Sequence, residues 1–97
     1  MTRQEHLLVI LAEECSEVAQ RASKALRFGL EEIQPGELSK STNADRIMHE
    51  YADLVAAIEM LQQCGALPIV DLRNRIESKK NQVTKFLSYS RECGTLA

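Results

Sequence analysis

Tryptophan is absent from this 97-residue chain, and two phenylalanines and two tyrosines are its only aromatic residues. Any core must be aliphatic and thin, because a chain this short forms one domain and buries only about two-thirds of its unfolded surface. Two prolines and four glycines leave long stretches free of breakers, and no segment alternates as a strand does. No apolar run approaches the ~20 residues of a membrane span. The run Leu7–Ala12 is short and followed by acids, and the start Met1-Thr2-Arg3-Gln4-Glu5-His6 lacks a signal-peptide pattern. Neither charge sign dominates: 12 basic and 14 acidic residues give a net charge of −2. That removes any global electrostatic argument for a nucleic-acid polymer or a membrane as partner. The cysteines Cys15, Cys64 and Cys93 are odd in number and contain no Cys-x-x-Cys pair. A zinc ribbon is excluded, and three thiols fit a reducing, cytoplasmic setting better than a disulfide framework.

What is present has helical periodicity. The first helix is expected from about Arg3 to Phe28, stopped by Gly29. A loop follows, Leu30 to Thr42, containing Pro35-Gly36. Thr42 and Asn43 are suitable N-caps for a second helix, about Ala44 to Gln63, which Gly65 closes. Pro68 suits the first turn of a third helix running to about Tyr89. The expected fold is all-α, a single domain (residues 1–97) built as an antiparallel bundle of three main helices. With so few aromatics, homo-oligomerisation is expected to complete its core.

Two matched pairs of acids stand out: Glu14 with Glu17, and Glu50 with Asp53. Residues three apart share a helix face. At about 100° per residue, Glu14 and Glu17 fall roughly 70° and 130° to one side of a stripe through Leu7, Leu11, Cys15, Val18, Ala22, Ala25 and Leu26. Glu50 and Asp53 take about the same offsets from Ile47, Tyr51, Leu54, Ile58 and Leu61. On that stripe Cys15 is expected to be a buried, inert thiol. Consecutive helices that pack antiparallel by these stripes bring both pairs to one side of the seam. Such acids are ordinarily the solvated shoulder of an amphipathic helix. A quartet of like charges at equivalent phase points instead to neutralisation by a hard divalent cation.

Magnesium, with manganese as a substitute, takes oxygen ligands, keeps waters and bridges carboxylates to phosphates. Basic residues should then hold the rest of a phosphate chain. Lys24, Arg27, Arg46, Lys79 and Lys80 are the candidates, although each could be a solvated helix residue, and Arg46 could pair with Glu50 across one turn. Glu-x-x-His motifs of di-iron bundles are absent, and so are Walker-type and Gly-x-Gly-x-x-Gly loops. His6 and His49 belong to no such motif, and His49 is expected at the surface.

The motif Glu14-x-x-Glu17, a loop, then Glu50-x-x-Asp53, within Leu11-Ala12-Glu13-Glu14-Cys15-Ser16-Glu17-Val18 and Glu50-Tyr51-Ala52-Asp53-Leu54, resembles the signature of the MazG-like all-α nucleoside triphosphate pyrophosphohydrolases. The resemblance spans roughly Leu7 to Lys85, and the short chain is similar to single-domain, phage-encoded members. It implies a homodimer or homotetramer with magnesium held by Glu14, Glu17, Glu50 and Asp53. It implies hydrolysis between the α and β phosphates, giving a monophosphate and pyrophosphate, with Glu13 orienting or deprotonating the water. The family often carries a Lys and, four residues on, an Asn. Here Lys79 is followed by Val83 at that spacing, with Asn81 two residues away. The alternative from another class is a non-catalytic helical oligomerisation or nucleotide-binding module.

Overall fold

A computed structural model describes all of Met1–Ala97 and is all-helical: α1 Arg3–Phe28, α2 Asn43–Gln63 and α3 Arg73–Glu92, with no strand. Each of the first two helices begins with a capping box. The Thr2 hydroxyl accepts from Glu5 N–H at 3.1 Å while the Glu5 carboxylate accepts from Thr2 N–H at 3.0 Å. Thr42 and Asp45 repeat this at α2, and the Thr42 backbone N–H is the main cause of the lowered pKa of Asp45. These reciprocal bonds satisfy donors that an uncapped helix would leave orphaned. At the far end of α2, Gly65 adopts φ +82°. The Ala66 N–H reaches back to Leu61 O and the Gly65 N–H to Gln62 O, a Schellman closure that a residue with a Cβ would strain.

α1 and α2 pack antiparallel. Moving from their joined ends outward, Asn43 meets Gly29, Arg21 meets Glu50, and Glu14 meets Asp53. The residues this pairing covers recur at alternating steps of four and three. On α1 they are Leu7, Leu11, Glu14, Val18, Arg21 and Ala25; on α2, Asn43, Ile47, Glu50, Leu54, Ala57 and Leu61. Leu61 has no accessible surface at all. The seam thus differs from the expected stripe. Glu14 lies on it rather than beside it, whereas Cys15, Ala22, Leu26 and Tyr51 are exposed.

The reason is a second apolar row, one residue further along each helix. Leu8, Ala12, Cys15, Ala19, Ala22 and Leu26 form it on α1, all of them exposed. On α2 the equivalent row includes Met48 and Tyr51, both exposed, and Val55 and Ile58, half-buried. Equivalent offsets on antiparallel helices fall on one side of the pair. One face of the pair therefore carries Glu13, Glu17 and Asp53 at mid-length, and the other is apolar.

α3 starts at Arg73, five residues later than Pro68 suggests. The Asp71 carboxylate accepts from the Arg73 N–H at 3.0 Å and sets the start, while Pro68 spends its carbonyl on the Gln62 side chain at 3.1 Å. The end lies beyond the expected Tyr89, at Glu92, where Gly94 closes the helix with a Schellman pair. α3 packs against neither α1 nor α2 and buries no residue. The radius of gyration, 17.0 Å, accordingly exceeds the ~13 Å of a compact chain of this length.

Candidate metal centre

The acids converge where the two helices face each other at mid-length. One carboxylate oxygen from each of Glu14, Glu50 and Asp53 lies within 4.8 Å of the others. Glu17, exposed one turn along α1, is not among the three, although its carboxyl bears on those of Glu14 and Glu50. Two ionised carboxylates are both acceptors, so such an approach needs a shared proton or a cation between them. The strain shows in the acidities. Glu14 is raised above its ordinary 4.5, first by loss of hydration and then by the charges of Glu17, Asp53 and Glu13. Glu50 is raised above the same value, first by its hydrogen bond with Glu17, then by loss of hydration and by the charges of Glu17, Asp53 and Glu14.

Four buried side-chain atoms in the chain lack a hydrogen-bond partner: Glu14 Oε2, Glu50 Oε2, Arg21 Nη1 and Arg46 Nε. Three of these belong to this one locus. Such atoms turn to water or to a bound group, and a cation is one group that would complete the carboxylates among them. Its donor set is all carboxylate oxygen, which suits magnesium or calcium better than zinc or copper. The residues present therefore fit a hard divalent cation.

The other expected site residues are dispersed. Glu13 is exposed beside Glu14, and its carboxylate is not among the three that converge. Lys24 is half-buried at the joined ends of the helices, where with Phe28, Glu32, Gln34, Pro35 and Asn43 it lines a cavity of about 370 Å³. Arg27 lies over the Phe28 ring, 4.8 Å from its centroid. Arg46 pairs with Glu37 of the loop at 3.4 Å rather than with Glu50. Lys79 donates to Gln82 at 3.3 Å and Lys80 to Glu77 at 3.2 Å on the unpacked α3, which also carries the exposed Asn81. None of these three reaches the acids within one chain, because α3 stands apart from α1 and α2. The sequence does carry an unread signal, Arg21. It lies seven residues after Glu14 on the same seam, with its Nε 3.8 Å from Glu50 Oε1.

The chain matches no known family model, no curated protein and no solved structure. No helix is long and apolar enough to cross a membrane.

Proposed function

We propose that the chain is a magnesium-dependent nucleoside triphosphate pyrophosphohydrolase of the MazG-like type, acting on a ribo- or deoxyribonucleotide. The observation that carries the reading is the convergence of Glu14, Glu50 and Asp53, from two helices, with buried carboxylate oxygens left without partners. Glu14, Glu17, Glu50 and Asp53 would hold the cation, which supplies charge neutralisation and polarisation of the phosphoryl group. Glu13, exposed beside Glu14, would take a proton from water. Lys24 and the cavity beside it, ten residues and so about 15 Å beyond Glu14 along α1 at 1.5 Å per residue, would receive the remainder of the nucleotide.

Association of copies belongs to this reading. The accessible surface is 7756 Å², against about 5,600 Å² for a compact chain of this mass. The exposed apolar row of α1 and α2 and the unpacked α3 make up the excess. A homodimer or homotetramer would cover such faces. The same exposed surface favours the second reading, a helical oligomerisation module without catalysis. Pyrophosphate release separates the two readings. Wild-type protein with magnesium should release pyrophosphate from at least one common nucleoside triphosphate, and neither EDTA-treated protein nor Glu14→Gln should. Equal behaviour of the wild type and Glu14→Gln sinks the enzyme reading.

A further inference from the structure

Arg21 is the one cation inside the acidic locus. Its side chain is 21% accessible and that of Glu50 15%. Arginine–carboxylate counter-ion pairs are frequently fork to fork, through two short hydrogen bonds. Arg21 does not do this. Its Nε stands 3.8 Å from Glu50 Oε1, too far for a hydrogen bond. Arg21 Nη1 and Glu50 Oε2, both buried, have no partner at all. Unsatisfied groups of opposite sign thus lie side by side without satisfying each other. A bare cation would satisfy the carboxylates and repel the guanidinium. A cation carrying an oxyanion satisfies both.

We propose that Arg21 is a substrate-binding residue whose Nη1 takes an anionic oxygen of a metal-bound di- or triphosphate, while its Nε stays beside Glu50. The proposal rests on the reading of the acids as a divalent-cation site. It makes that site selective for a metal–polyphosphate pair over the free ion. Arginine suits the task, because its planar fork serves two oxygens in fixed directions, as a lysine ammonium does not.

The test uses manganese as the ion and imidodiphosphate as a non-hydrolysed polyphosphate. Manganese binding is read from loss of the free-ion resonance signal, and imidodiphosphate binding by calorimetry at saturating manganese. Arg21→Met should bind manganese no more weakly than the wild type and imidodiphosphate about 10- to 100-fold more weakly, the loss of one or two charge-assisted hydrogen bonds. Arg21→Lys should fall between, and it carries the comparison should Arg21→Met fail to fold. Parallel weakening of manganese and imidodiphosphate would make Arg21 a support for Glu50 alone and overturn the proposal. So would unchanged imidodiphosphate affinity, or wild-type binding of malonate as tight as that of imidodiphosphate. A wild type that binds no manganese overturns the metal reading as well, so the two failures are distinguishable.

Discussion

The side-chain amide of Asn43 donates to Gly29 O at 2.8 Å and to Glu32 Oε2 at 2.9 Å, fastening the first residue of α2 to the segment that leaves α1. Asn43 is 3% exposed, the only polar residue among the fully buried ones. Asn43→Ala leaves a carbonyl and a carboxylate without their donor at the joint that aligns the helices. The expected loss is about 1–3 kcal/mol. In thermal denaturation this reads as a fall of roughly 4–8 °C per kcal/mol for a chain of this size. An unchanged midpoint would mean that the joint is held by the helix seam alone.

Replacing one member of the acid cluster should separate function from stability. Glu14→Gln and Glu50→Gln each remove a repelling charge at nearly constant size. In EDTA both variants should melt at or above the wild-type temperature, since the metal-free site holds like charges together. In magnesium the order should reverse, because only the wild type gains from the ion. Asp53→Asn should lose pyrophosphate release in the same way. Variants less stable than the wild type in EDTA would show these carboxylates to be structural.

Acidity gives a second handle on the same groups. Glu14 and Glu50 have folded-state values above the 4.5 of the free side chain. A raised acid binds its proton more tightly when folded, so its stabilising contribution is full below 4.5 and lost as pH rises through the folded values. Metal-free protein should therefore lose melting temperature as pH climbs above about 4.5. Divalent-ion affinity should run the other way, falling on acidification earlier than for an isolated carboxylate, with protons released on binding. Buffers of different ionisation enthalpy, compared by calorimetry, count those protons. A count of zero throughout this range would contradict the assignment.

Association should map to the apolar row. Sedimentation should give a mass above that of a single chain at micromolar concentration, and Leu8→Lys with Leu26→Lys should dissociate it. Cys15 lies on that row and is exposed in the single chain. It should therefore react with a thiol reagent more slowly than Cys93 in the native assembly, and at a similar rate once the chain is dissociated. A monomeric wild type would remove oligomerisation from the picture.

Much of this architecture was legible in the residues. Thr42, Gly29 and Gly65 mark helix ends through signals that depend on neighbours in sequence alone. The convergence of Glu14, Glu50 and Asp53 follows from equal phase on consecutive helices, while Glu17, expected with them, is not among the three. The seam itself was misplaced because α1 carries two adjacent apolar rows. Their average direction falls between them, which disguises Glu14 and Arg21 as flanking residues and Cys15 as a buried one. The start of α3 was set by a hydrogen bond from Arg73 to Asp71 rather than by Pro68. The separation of α3 has no local signal, since an amphipathic helix has the same pattern whether its cover is its own chain or another.

The alternating spacing of the seam has one more consequence. Aliphatic layers repeating every seven residues match almost equally well after one helix slides by a full repeat. Moved that way in either direction, Arg21 would stand beside Asn43 or Ala57 instead of Glu50. The charged layer therefore acts as a key for register, since a single buried polar contact can fix the alignment of paired helices. Replacing Arg21 and Glu50 together with leucine and methionine would give a greasier pair of helices that no longer knows where to stop.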